Sequence, residues 1–198
     1  MTAVDGLRRV GAGEVRELSA LLARAFFEDE VARYLFPSAD RLSRLQAFFA
    51  TQLRHVYLPR GEVYTTEDLS GVAMWIVPEM RSPRARDGLA FLNVVMILGP
   101  GFLRARRLGR FLAGQHPPMP HYYLGTLGVE PARQGLGIGS ALLEPMIKRS
   151  DETGNPIYLE CSTKAARRFY ERHGFSIRAQ VKTPRCGPRL WLMWRVPR

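Results

Sequence analysis

Three glycines in seven residues, in Gln134-Gly135-Leu136-Gly137-Ile138-Gly139-Ser140, lie where a strand gives way to a helix. Upstream, Tyr122 to Val129 reads as the strand; downstream, Ala141-Leu142-Leu143-Glu144 reads as the first turns of the helix. Glycine tolerates φ > 0 and lets another molecule approach the backbone closely. The first amides of a helix have no internal partners, and its dipole favours an anion there. The chemistry open to such a turn is to hold a phosphate. Taken alone, the pattern also fits a tight turn that binds nothing. The 4 histidines, His55, His116, His121 and His173, are not spaced as a metal pair, and the 2 cysteines, Cys161 and Cys186, are too few for a disulfide framework or a zinc site. No metal is expected.

The elements that must position this turn follow from periodicity. Leu7 to Val10 reads as a short strand, and Glu14 to Phe27 repeats apolar residues at helical spacing. An acidic stretch, Glu28-Asp29-Glu30, leads through Val31 to Phe36 and Pro37 into a second helix, Ala39 to Tyr57. Val63 to Thr66 and Gly71 to Val77 form a hairpin. Residues 80–120 read as a variable helical insert, with helices expected over Leu89 to Leu98 and Phe102 to Leu112. The helix after the glycines reaches about Thr153, and Pro145 within it predicts a kink or a shifted start. A strand, Ile157 to Cys161, a helix, Thr163 to His173, and two closing strands, Phe175 to Val181 and Leu190 to Val196, complete a single α/β domain spanning 1–198.

Composition narrows the classes. Of 198 residues, 46% are hydrophobic, enough for a sizeable core. No apolar run reaches membrane-span length, and Met1 to Val10 lacks an apolar signal core. A cytoplasmic protein with no membrane role is expected. The net charge of +11 is almost all arginine, since Lys148, Lys164 and Lys182 are the only lysines. Such a field favours a polyanionic partner and would not recruit a polycationic one. Nucleic acid is not expected, because no aromatic-basic recognition motif accompanies the charge.

The glycine turn, joined to Arg168-Phe169-Tyr170-Glu171-Arg172-His173-Gly174-Phe175, resembles the signature of the GNAT superfamily of acyl-CoA-dependent N-acyltransferases. The Gln-x-x-Gly-x-Gly pattern, the aromatic helix end and the helix and strand between them all agree with it. Gly71 to Glu79 and Leu159-Glu160-Cys161-Ser162 are similar in texture to the puromycin N-acetyltransferase group. The resemblance covers residues 119–196 and is diffuse before them. It implies a mixed, mostly antiparallel sheet flanked by helices, whose central strands splay around acetyl-CoA as donor. Leu127, Gly128 and Val129 would then pair with the pantetheine arm, and Gln134, Gly135, Leu136, Gly137, Ile138, Gly139 and Ser140 would cradle the pyrophosphate. Thr163 stands where many relatives have an asparagine near the pantetheine.

The resemblance also assigns chemistry. The Val129 amide is placed to donate to the thioester carbonyl as negative charge develops there. Tyr170 is the candidate general acid for the leaving thiolate and also borders the donor site; the alternative is a packing residue. The base is not given by the motif. Glu160, at a strand end beside the cleft, is one candidate; His121, on one strand face with Tyr123, could relay a proton or serve structurally. Phe27, Glu28, Tyr34, Trp75 and Tyr123 are candidate acceptor-binding residues, each also readable as core or as a solvated helix end. Arg133 and Arg168 could reach a phosphate of the donor. Cys161 has no histidine placed to activate it and is expected to be inert. The expected activity is direct acetyl transfer to a primary amine of a small molecule: an antibiotic, an aminonucleoside or an amine metabolite. An acyl-CoA sensor without turnover, or an enzyme acting on protein or peptide amines, are the alternatives. Oligomeric state stays open, a homodimer included.

Overall fold

The computed structural model describes residues 6–78, 95–184 and 186–198. Seven strands form one sheet in the order β1-β2-β3-β4-β5-β7-β6. They are β1 (Leu7–Arg9), β2 (Gly61–Thr66), β3 (Gly71–Ile76), β4 (Tyr122–Val129), β5 (Ile157–Cys161), β6 (Ser176–Lys182) and β7 (Arg189–Arg195). Every neighbouring pair is antiparallel except β4 and β5. This is the mixed, mostly antiparallel sheet that the resemblance implies.

Side-chain alternation divides the sheet into two buried faces. On one, Val63, Val72 and Met74 pack with Leu18 and Leu22 of α1 (Val15–Ala25) and Leu45 and Phe49 of α3 (Arg41–Gln52). On the other, Ala73, Trp75, Tyr122, Leu124, Ile157 and Leu159 pack with residues of two further helices. The short helix α2 (Glu30–Leu35) and the helix α4 (Phe102–Ala113) complete the first half, and α5 (Ile138–Thr153) and α6 (Lys164–Arg172) cover the second face.

Three local departures from the sequence reading matter. The stretch before Pro37 is helical, because the Asp29 carboxylate caps α2 by accepting from the amides of Val31 at 2.8 Å and Ala32 at 3.1 Å. Helix α5 starts at Ile138 and runs through Pro145. Proline here forgoes one intrahelical bond without ending the helix. After α3 the chain makes a π-helical turn, Leu53–Tyr57, before a last α-turn, Leu58–Arg60. Single π turns recur at functional sites; this one delivers Tyr57 to the sheet. The helix expected over Leu89 to Leu98 lies mostly outside the described residues.

Candidate active site

Strands β4 and β5 pair only at Tyr122–Leu124 against Ile157–Leu159. Beyond that point they diverge. The rest of β4 stays on β3, and Glu160 and Cys161 of β5 stay on β7. The divergence starts beside an irregularity between Met74 and Trp75, where the β3–β4 register slips past Gly125. A Cβ on Gly125 would overlap the Tyr57 hydroxyl, so glycine at this bulge is what admits Tyr57.

The open side of β4 is chemically defined. The Glu130 amide donates to Ser70 O at 2.9 Å, and Gly71 stands opposite Val129. Antiparallel pairs alternate between bonded and non-bonded, so Leu127 and Val129 turn their backbone groups away from β3, into the gap. Consistent with this, Val129 O accepts from Gln134 Nε2 at 3.3 Å. A bound strand-like arm could pair there as a peptide does.

At the end of β4 the glycine turn does what its composition demands. Gly135 and Gly137 take φ of +82° and +85°, and no atom lies within 4 Å of the Cβ position of either. Gly137 is the N-cap of α5 in left-handed geometry. Consecutive amides in such a turn make a concave anion cradle at the helix N-terminus. Gly139 serves packing instead. A Cβ there would stand 3.2 Å from the Phe169 ring, so its absence lets α6 pack on α5. Ser140 is tied to the same helix, its hydroxyl 2.9 Å from His173 Nε2, while His173 Nδ1 donates to Phe169 O at 2.8 Å. Ile138 is buried in the core, and Leu136 is exposed on the turn.

Two ionisable groups reach the diverging strands from opposite faces. Tyr170 of α6 comes from the α5 side, buried between Phe169 and Phe175. Its hydroxyl makes no hydrogen bond among the described residues. Burial raises its pKa, so it stays a proton donor at any working pH. From the α3 side comes Glu160, 7% exposed. Its Oε2 accepts from the Tyr123 hydroxyl at 2.9 Å, while its Oε1 has no hydrogen-bond partner. Burial pushes its carboxyl up to about 7, against the opposing effect of the Tyr123 hydrogen bond. Tyr158 and Tyr57 share this face, and burial together with the Glu160 charge raises the pKa of each. A carboxylate poised near 7 is suited to take a proton from an ammonium group.

The remaining sequence candidates separate. Tyr123 joins Glu160. Thr163 spends its hydroxyl capping α6, accepting from the Ala166 amide at 3.1 Å. Trp75 is fully buried on the α5 face, on the side of the sheet opposite Tyr123 and Glu160, and is a core residue rather than a wall of an acceptor cleft. Glu28 is paired with Arg33 and exposed, so its charge is compensated on α2 itself. Asp29, besides capping α2, accepts from Ser162 after β5, which ties the α1–α2 loop to the diverging strand. Phe27 packs at the edge of the α1–α3 core beneath Arg41. Tyr34 donates to Pro184 O at 3.3 Å and lies under Arg104, linking α2 to the β6–β7 turn. Arg133 is engaged by Asp68, and Arg168 is exposed. Cys161 is buried against Met193, and burial pushes its thiol up to about 12, which leaves it protonated and inert. Three further residues, Tyr57, Tyr158 and His116, lie beside Glu160 in the candidate site and do not stand out in the sequence. Gly125 inside a strand pattern was the available signal for a close approach such as that of Tyr57, and the two-residue period from Glu160 pointed to Tyr158.

Among the described residues no group of three or more His, Cys, Asp or Glu side chains could hold a metal ion, and no helix is long and apolar enough to cross a membrane.

A family model for the GNAT acetyltransferase domain matches residues 93–177. A Schizosaccharomyces pombe protein, named an uncharacterized N-acetyltransferase, is 28% identical over 183 residues, covering 85% of this chain and 73% of its own. A crystal structure from Corynebacterium glutamicum, described as histone acetyltransferase HPA2 and related acetyltransferase, is 27% identical with a TM-score of 0.75, covering 97% of this chain and 96% of its own. A GNAT-family structure from Desulfovibrio desulfuricans, at 22% identity and a TM-score of 0.54 over 96% of this chain and 98% of its own, shares the fold. With the splayed strands and the glycine turn following one another along β4, residues 93–177 match the GNAT acetyltransferase domain, and that match together with the N-acetyltransferase relative supports an acetyl-CoA-dependent acetyltransferase.

Proposed function

We propose that the chain transfers an acetyl group from acetyl-CoA directly to a primary amine of a small molecule, with Glu160 as general base. The observation that carries this reading is the Glu160 carboxyl, buried beside the splayed strands, hydrogen-bonded by Tyr123 and pushed up to about 7. The acceptor enters as an ammonium ion and must lose a proton before its nitrogen lone pair attacks. Glu160 takes that proton. The Val129 amide, facing the gap, donates to the carbonyl oxygen as it gains negative charge. The nitrogen–carbon bond forms, the carbon–sulfur bond breaks, and Tyr170 protonates the departing sulfur; the second proton shed by the nitrogen as it becomes an amide restores the Tyr170 hydroxyl. The burial that raises the Tyr170 pKa also raises the basicity of a thiolate in the same place, so the transfer is matched.

The donor is held by the α5 turn from Gln134 to Ser140 and by the backbone of Leu127 and Val129. Direct transfer is favoured over an acyl-enzyme route because Cys161 is buried, protonated and without a base. Antibiotics, aminonucleosides and amine metabolites are the acceptor classes put forward, with Phe27 and Tyr34 as outlying contacts.

The Corynebacterium relative is described as a histone acetyltransferase, which raises a protein acceptor as a second reading. The net charge of +11 weighs against a polycationic tail, which this protein repels at long range. Thiol release from acetyl-CoA, measured against a panel holding an aminonucleoside, an arylalkylamine, an aliphatic diamine and a basic histone-like peptide, tests the proposal. Turnover of one of the small amines is expected; turnover of the peptide alone, or saturable acetyl-CoA binding with no thiol release, would contradict it.

A further inference from the structure

Three polar groups on the Glu160 face are withdrawn from solvent without a hydrogen bond. The first is Glu160 Oε1, on a side chain 7% exposed; His116 Nε2, at 3.8 Å, is beyond hydrogen-bond range of it. The second is the hydroxyl of Tyr158, a residue with 0% exposure. The third is the hydroxyl of Tyr57, which is 7% exposed and finds no partner among the described residues. Buried polar groups are nearly always paired, and leaving one unpaired costs free energy. Phenylalanine at either tyrosine position would fill the same space without stranding a hydroxyl.

The three groups converge on one place. Tyr158 stands two residues before Glu160 on β5 and shares its face. Tyr57 is delivered by the π-helical turn, and its hydroxyl lies 1.9 Å from where a Cβ of Gly125 would be. Gly125 is two residues beyond Tyr123, whose hydroxyl holds the other oxygen of Glu160. Both unpaired hydroxyls lie within the field of the Glu160 carboxylate, which helps to raise the pKa of each. A ligand that satisfies all three must bring several donors, and the carboxylate asks for positive charge on it. The burial of the three side chains admits only a small head group. A primary ammonium has three N–H donors and no acceptor. An N-methyl ammonium has two, and presents its methyl group where a hydroxyl or carboxylate oxygen awaits a hydrogen.

We propose that Glu160 Oε1 and the hydroxyls of Tyr57 and Tyr158 form the head-group subsite of the acceptor, one oxygen for each N–H of a primary ammonium. Tyr57 and Tyr158 are then specificity-determining residues that favour primary over N-methylated amines. The inference rests on Glu160 as the group that meets the amine. Binding makes and breaks no covalent bond; proton transfer to Glu160 follows it.

The test uses the full chain saturated with CoA, which fills the donor site and cannot react. The panel amine with the highest turnover and its N-methyl analogue are titrated into it by calorimetry. Wild type should bind the primary amine about tenfold or more tightly than the analogue, the scale of one hydrogen bond to a charged group. Tyr57→Phe and Tyr158→Phe keep the rings. Each should weaken the primary amine about tenfold and move the analogue less. Neither should lower the melting temperature, because neither hydroxyl bonds within the protein. In steady state both variants should raise KM for the amine and leave KM for acetyl-CoA unchanged. Wild-type affinity in either variant, or equal losses for the two amines, would overturn the subsite. Glu160→Gln separates this inference from the reading beneath it. Full turnover in that variant removes Glu160 as base, whereas a slow Glu160→Gln beside tyrosine variants of wild-type affinity keeps the base and removes the subsite.

Discussion

The Tyr123 hydroxyl donates to Glu160 Oε2 at 2.9 Å, across the last rungs of the parallel pair, from a strand that is about to part from its neighbour. Tyr123 is still in register with Tyr158; Glu160 is one residue beyond the last pair, Leu124 and Leu159. Glu160 therefore sits at the apex of the splay, where the backbone groups of Leu127 and Val129 begin to face open space.

Removing that hydrogen bond should move the base in a known direction. The Tyr123 hydroxyl stabilises the carboxylate and holds the Glu160 pKa below where burial alone would put it. Tyr123→Phe should shift the acidic limb of kcat to higher pH by about one unit, equivalent to about 1.4 kcal/mol, with the plateau at high pH retained. A limb that stays in place, or moves to lower pH, would disprove the role given to Tyr123.

The raised Glu160 pKa is also a statement about stability. Its ordinary value is 4.5, and in the folded protein it rises to about 7. Between these values the unfolded chain gives up its proton while the folded protein keeps it. Stability is therefore full below about pH 4.5, falls as pH rises toward 7, and stays at its lower level above. The cost at pH 8 is about 3 kcal/mol. Glu160→Gln, which keeps an acceptor for Tyr123, should raise the denaturation midpoint at pH 8 relative to wild type, and less at about pH 5. Equal effects at both pH values would contradict a buried, shifted carboxyl.

Gly125 and Tyr57 form a size-matched pair. Gly125→Ala places a Cβ on the Tyr57 hydroxyl and should cost about 1–3 kcal/mol in urea unfolding, as overpacking does. Adding Tyr57→Phe removes the closest atom but leaves the ring, whose Cζ would still lie 2.9 Å from that Cβ. The double variant should recover only part of the loss; strict additivity of the two changes would show that the residues do not touch.

Tyr170 separates catalysis from packing, since its hydroxyl bonds to nothing among the described residues. Tyr170→Phe should leave the melting temperature nearly unchanged and lower kcat about a hundredfold, with a much smaller effect on KM for acetyl-CoA. Unchanged turnover would remove it from the chemistry.

Much of this was legible in the residues. The glycine turn declared itself because positive φ and a strand-to-helix change select glycine, and the two-residue period put Tyr158 and Glu160 on one face. What was hidden depended on contacts between distant segments. The α2 helix is six residues long and hangs on the Asp29 cap, too short a stretch for periodicity to reveal. Trp75 reads as a pocket wall because an aromatic in a strand carries no mark of which face is the core; the alternation of β3 places it with Ala73 and Val77 on the α5 face. Glu28 reads as an attractor for amines, and its ion pair with Arg33 of α2 is a contact that no periodicity announces. His116 is far from Glu160 along the chain, in a run of prolines with no period, and only the folded chain brings them together.

The central claim, that Glu160 deprotonates the amine, is tested most directly by the pH dependence of kcat/KM for the best panel amine in wild type and Glu160→Gln, over about pH 5.5 to 9. Wild type should show an acidic limb with an apparent pKa of about 7, and the variant should lose that limb and about a hundredfold or more in rate at the plateau. A variant that keeps both the limb and the rate would show that another group takes the proton.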